Sequence, residues 1–225
     1  MNIRIPAIVS AVLILAMLAA GAYAWVLLPP DARIAVHWDA AGRVNGFAHK
    51  PFALIFGPAL AAALGAVFAV IPRIEPRKFN LAASAKFYGA AWIGTIAVLA
   101  VAHGLIVVTA LHVAVDVGAV VAGSLSVLFI VIGNYLGKSR PNFFAGVRTP
   151  WTLSSEYSWE HTHRLAGKLF VASGLATLAG LLLWSPKTAL FFLLGSICAT
   201  AVAAVVMSYV YWSRDPDRHI GGAPG

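Results

Sequence analysis

The stretch GVRTPWTLSSEYSWEHTHRLAGK, residues 146–168, carries three cationic residues, two carboxylates, two histidines and two tryptophans, and long apolar runs lie on both sides of it. A segment this polar belongs at a membrane surface rather than in hydrocarbon, so its flanks decide the architecture. Immediately before it lies Val117–Leu136, and after it Leu165–Trp184; four more apolar runs occupy Ile5–Leu28, Pro51–Pro72, Phe87–Leu111 and Thr188–Trp212. Each has the length of about 17 to 25 residues that a tilted spanning helix needs. Backbone groups in lipid must pair within their own segment, and the alternating pattern of a membrane barrel is absent, so these runs are read as helices. The expected fold class is an all-α membrane protein, a polytopic bundle of six transmembrane helices.

Composition agrees with that reading. Of 225 residues, 60% are hydrophobic and 11% charged, more apolar surface than a soluble domain of this size can bury. The first run follows Arg4 and ends near Ala22-Tyr23-Ala24, which resembles a cleavage site. It is longer than the roughly 7 to 15 residues of a signal core, and a retained first helix is expected. The single cysteine, Cys198, falls inside the sixth run and has no disulfide partner in the chain.

The formal charge of +8 is explained by topology and anionic lipid headgroups, without a nucleic-acid partner. When the connections are assigned to alternate sides, only Arg33, Arg43, Lys50 and Lys187 of the 16 Lys and Arg residues fall on one face. The others, from Arg4 to Arg218, share the opposite face, so both termini are expected in the cytoplasm. Two connections are long: an outer loop, 29–50, and an inner loop, 137–164. They divide the chain into an N-terminal membrane region, 1–86, and a second region, 87–225. These regions hold two and four helices; cut instead into two sets of three successive helices, the chain gives halves with one long loop each, an arrangement that inverted-repeat transporters share.

The outer loop contains His37-Trp38-Asp39-Ala40-Ala41-Gly42 and Asn45-Gly46, turn chemistry that predicts a compact element. His37, Asp39 and His49 share that side with His112 and Asp116, but their spacing fits no compact metal motif, and neither metal nor other cofactor is expected. His103, inside the third helix, is a candidate intramembrane polar site. In the inner loop, Pro150 keeps Thr149 extended, and a helix is predicted to begin with Ser154 as its N-cap and Glu156 in its first turn. Helical spacing then places Glu156, Glu160, His163 and Arg164 on one side, within reach of Arg148, as an ion-paired network. Trp151 and Trp159 suit the headgroup layer. The Glu160 and His163 pair has di-iron spacing without the second motif such sites need, and no activated serine or cysteine accompanies the acids. A structural or ligand-binding role is therefore preferred to catalysis, and no enzyme activity is expected.

The run GNYLGKSRPNFFAGVRTPWTLSSEYSWEHTHRLAGK, residues 133–168, resembles the signature of the SdpI family of bacterial membrane immunity proteins. The matching positions are Asn134, Asn142, Gly146, Arg148, Thr149, Trp151, Thr152, Trp159, Thr162, His163, Arg164 and Gly167. The outer loop from His37 to Gly46, followed by Lys50-Pro51, is similar to a domain of unknown function that often precedes that signature. The resemblance implies a protein of the bacterial inner membrane that protects against a secreted antimicrobial peptide of the SDP toxin type. A second implied role is holding a cytoplasmic transcriptional repressor at the membrane. No catalytic residues come with it. Combined with the residue-level reading, it puts the extracellular ligand at His37, Asp39, Gly42, Asn45 and Gly46, and assigns the inner loop to signalling or stabilisation. The alternatives are a small transporter of an amphiphile, favoured by the two halves and His103, and a membrane-embedded metal-dependent enzyme.

Overall fold

In the computed structural model, which describes residues 1–217, the apolar runs are helices: α1 (Arg4–Leu27), α2 (Lys50–Ile74), α4 (Ala85–Ala110), α5 (Val117–Leu136), α7 (Glu156–Gly180) and α8 (Pro186–Arg214). Two short helices, α3 (Lys78–Ala83) and α6 (Pro150–Ser154), lie in connections. Among the described residues, five helices are long and apolar enough to cross a membrane: α1, α2, α4, α5 and α8. The sixth long helix, α7, starts about two and a half turns before the apolar run that begins at Leu165, and this polar beginning lowers its mean hydropathy. It also stops at Gly180, not Trp184, because Leu181 to Trp184 turn back on that end and Trp184 N–H donates to the Gly180 carbonyl.

The expectation of an all-α chain is corrected by an antiparallel hairpin of β1 (Arg33–Trp38) and β2 (Val44–His49) in the outer loop. The predicted turn residues make it. Asp39 Oδ1 accepts from the backbone N–H of Ala41 (2.8 Å) and of Arg43 (3.0 Å), and Gly42 takes φ 76°. Irregular register around His37 disguises the strand period, and a Cβ at its partner Gly46 would lie 2.9 Å from His37 Cβ. Buried Ile34 anchors the hairpin among Ala24, Ala53, Leu54 and Val107. Lys50 ties its foot to α1: Nζ donates to the Leu28 carbonyl (2.7 Å), at the end of that helix, and lies 4.9 Å from the Trp25 ring centre.

Helices α1, α2 and α4 pack together around Met17, Ala61, Tyr88, Trp92 and Ile96, with Phe68 stacked on Trp92 at 5.6 Å between ring centres. Helices α5, α7 and α8 form a second group, and α4 bridges the two by packing on α5. The closest approach is between α5 and α7. A Cβ on Gly133 would lie 2.6 Å from the Gly167 carbonyl oxygen, so the two backbones touch. Outward faces stay apolar and exposed, as at Ile5, Ile8 and Val12 on α1 and Val202, Val205 and Val206 on α8, which is the surface a lipid-embedded bundle presents. Cys198 is exposed on α8. The protein is thus a multi-pass helical membrane protein.

Chain direction and contacts separate two ends. The tip of the hairpin, Asp116 before α5 and Ser185 to Lys187 at the start of α8 meet at one end. The link from Glu75 to Ser84, the loop from Lys138 to Ser155, and Asp215 meet at the other. Arg218, counted with the cations of this second face, lies outside the described residues.

Candidate functional site

At the end that holds the inner loop, a chain of short polar contacts folds residues 137–155 against the bundle. Asn142 is fully buried; its Oδ1 accepts from the N–H groups of Phe144 (3.0 Å) and Ala145 (2.8 Å), and its Nδ2 donates to the Arg140 carbonyl. Beyond it Gly146 adopts φ 114°, a conformation disfavoured for other residues, and lies directly over the edge of His163. His163 accepts from the Val147 N–H at Nε2 (2.8 Å) and donates from Nδ1 to the Trp159 carbonyl (2.7 Å). Its ring stacks on Trp159, whose Nε1 donates to the Ser139 carbonyl (3.0 Å). One imidazole therefore joins the loop to the first turns of α7.

Thr149 is extended before Pro150, as predicted, and caps α6 in a reciprocal box with Thr152. Thr152 Oγ1 also donates to the Val147 carbonyl, and Thr149 Oγ1 to Ser208 Oγ (3.0 Å) on α8. The N-cap of α7 is Ser155, not Ser154. Ser154 completes the single turn of α6, and the extended backbone of Ser155 restarts the chain, with Oγ accepting from the Ser158 N–H. Ser155 also donates to Asp215, and Ser158 to the Ser208 carbonyl (2.7 Å), fixing the loop to the end of α8.

The expected ion-paired network is corrected in the same place. Arg164 pairs with Glu160 along one exposed face, but Arg148 donates to the Phe143 carbonyl (2.7 Å), and Glu156 makes no ion pair among the described residues. Helical spacing places side chains around an axis without saying which are covered. Here the turn from Glu160 to Arg164 carries Thr162 and His163 inward, where both are fully buried, while Glu160 and Arg164 stay at the surface. Trp151 packs edge-on against Tyr209 at 5.3 Å. Asn134 lies apart, exposed on α5 beside Lys138.

Burial is the main cause that pushes His163 down, from an ordinary 6.5 to about 4, against a smaller upward effect of its bond to Trp159; it lies ahead of the apolar run that begins at Leu165. The unfolded chain takes up this proton first. Stability is therefore full above about pH 6.5 and falls as pH drops toward 4, by about 3 kcal/mol in the limit. Melting temperatures measured from pH 7.5 to 4.5 should show this slope, and His163→Gln, which can still accept from Val147, should flatten it. An unchanged slope in that variant would assign the pH sensitivity to other groups.

Sequence reading missed Glu75, the only acidic residue between Asp39 and Asp116. It is fully buried and accepts from the N–H of Arg77 (2.8 Å) and of Phe143 (3.1 Å), joining the α2–α3 link to the inner loop. Asn80 adds a bond to the Pro141 carbonyl (2.8 Å), Ser84 accepts from the Arg140 N–H (2.8 Å), and the Arg77 guanidinium covers the Phe143 ring. A lone carboxylate in a basic link was the available signal.

At the opposite end, the hairpin roofs a pocket of about 360 Å³ between β1 and α4, α5 and α8. Val36, Trp38, Ala102, Leu105, Val121 and Leu190 supply apolar walls, and His37, Asp39 and Gly42 the polar rim. Asp39 is held below its ordinary range first by the Arg43 backbone N–H and then by the Arg43 side chain, with which it also forms a 2.8 Å ion pair. His37 bonds to Asn45, and Gly46 stays against His37. Among the described residues no three His, Cys, Asp or Glu side chains come together. His103, deeper in the bundle, rests against Gly21 and Gly57, with Nε2 3.1 Å from the Met17 carbonyl oxygen and Nδ1 unpartnered.

The two ends define a multi-pass membrane protein with a roofed pocket on one side and a tightly hydrogen-bonded loop on the other. Residues 138–210 match the SdpI/YfhL protein family, and residues 12–62 match a domain of unknown function, DUF1648. The family that the motifs of residues 133–168 resemble is thus the one whose model matches the carboxy-terminal part of the chain. The Immunity protein SdpI of Bacillus subtilis (strain 168) is 25% identical over 100 residues, 44% of this chain and 48% of that protein. The match thus spans about half the length of that relative. No solved structure matches the chain.

Proposed function

We propose that the protein is an immunity protein of the bacterial inner membrane, which takes up part of a secreted antimicrobial peptide in the pocket under its hairpin and blocks its action. In this reading α7 crosses the membrane from Leu165 onward as a sixth span, and the hydrogen-bonded loop and both termini face the cytoplasm, where cations concentrate. The reading makes it a binding protein rather than an enzyme.

The observation that carries the proposal is the pocket itself: apolar walls under a hairpin that supplies a polar rim, at the end of the bundle that this reading turns outward. An amphiphilic peptide needs that combination. Occupancy is passed across the bundle only if the ligand binds one arrangement of the helices more tightly, and the inner loop, joined to α2, α7 and α8, is the element such a change would move. A repressor held at the membrane would dock on that cytoplasmic loop.

Titrating the full chain in nanodiscs with a peptide of the SDP toxin type should give saturable binding. Ala102→Trp, at an exposed position of the pocket wall, should weaken it at least roughly tenfold by filling the space an apolar anchor occupies. Unchanged binding in that variant would remove the pocket from the mechanism. The transporter reading has its own support in the two three-helix groups and the unpartnered Nδ1 of His103. Net flux of the peptide in proteoliposomes would favour it over binding alone.

A further inference from the structure

A groove of about 580 Å³ runs along the outside of the α5 and α7 crossing, away from the roofed pocket. At the end shared with the inner loop it is lined by Asn134, Lys138, Arg164 and Lys168; further along, Val171 and Leu175 make it apolar. Gly133 and Gly167 keep its floor low, because the helices touch backbone to backbone there. No acidic residue lines it, and the nearby Glu160 is engaged by Arg164. Lys168 has no anionic partner among the described residues, and Lys138 leans over the Tyr135 ring at 5.6 Å. Two cations are therefore left without a counter-charge beside an apolar channel.

We propose that this groove binds one anionic phospholipid of the surrounding membrane, its phosphate between Lys138 and Lys168 and an acyl chain along Val171 and Leu175. The dimensions suit a lipid. From Arg164 to Leu175 a helix rises about 16 Å, roughly half the hydrocarbon thickness and so the depth of one leaflet. The order of chemistry along the groove, cationic at the membrane surface and apolar inward, is that of a phospholipid read from head to tail. This inference depends on the chain spanning a membrane, and not on its acting in immunity.

Native mass spectrometry of the detergent-purified full chain, titrated with dioleoyl phosphatidylglycerol or dioleoyl phosphatidylcholine, tests it. The wild type should retain the anionic lipid in preference to the zwitterionic one. Lys138→Gln/Lys168→Gln, at two exposed positions, should lose roughly 25-fold in affinity for phosphatidylglycerol, about fivefold per cation. Lys78→Gln/Lys86→Gln, which removes two exposed cations at the same end but outside the groove, should bind as the wild type does. Ala172→Trp should block the apolar part without changing charge. Equal loss in both double variants would reduce the effect to general attraction and overturn the site. So would unchanged binding in the groove variant or in Ala172→Trp.

Discussion

Gly167→Leu is expected to leave no folded protein in the membrane fraction. A Cβ at position 167 would lie 2.5 Å from the Gly133 carbonyl oxygen and 3.6 Å from the Gly137 nitrogen, so the obstacle is helix backbone, which cannot rotate aside. The nearby Gly174 is as confined, with a Cβ there 2.7 Å from the Ser126 carbonyl oxygen. Even Gly167→Ala should cost about 2 kcal/mol or more through forced separation of α5 and α7. A leucine moves them further, and the first turns of α7 would be drawn away from the inner loop that His163 and Trp159 hold. Gly65→Ala is the matched control: a Cβ there meets nothing within 4 Å, and the change should be neutral or stabilising by up to about 1 kcal/mol. Size-exclusion profiles and denaturant unfolding of the purified variants would check both. A folded Gly167→Leu protein with wild-type stability would mean that the two helices do not touch as described.

Glu75→Ala is the second change expected to have a large effect, about 3 kcal/mol of stability. The carboxylate accepts two N–H groups from segments far apart in sequence, and its removal leaves the Arg77 and Phe143 donors without it in a site that water reaches poorly. Charge-assisted bonds of this kind are stronger than neutral ones. Glu75→Gln keeps one acceptor oxygen and should recover part of the loss, about 1 to 2 kcal/mol. Denaturant unfolding of the three proteins in one detergent gives the comparison. Equal stability of wild type and Glu75→Ala would show that Asn80 and Ser84 suffice to hold the loop.

The membrane-spanning frame was legible because apolar length is a direct signal, and the loops were found where polar residues interrupt it. Turn chemistry at Asp39 and Gly42 was read correctly, yet the hairpin it closes was not, since Gly46 and the irregular pairing at His37 hide a period of two. The polar start of α7 was recognised as helical, but its face was not. Which of Glu160, His163 and Arg164 turns inward depends on where the loop crosses, and that is set by Gly146 and by Glu75, 88 positions before His163 in the chain. Long-range acceptors such as Glu75, Ser208 and Asp215 leave no local pattern.

Survival gives the most direct test of the proposed function. A Bacillus subtilis strain lacking its own SdpI, expressing either this chain or its Ala102→Trp variant at equal membrane levels, would be exposed to the toxin peptide. The wild-type chain should restore growth while the variant leaves cells as sensitive as those with no immunity protein. Killing of cells that carry the wild-type chain in their membranes, to the same extent as unprotected cells, would contradict the assignment.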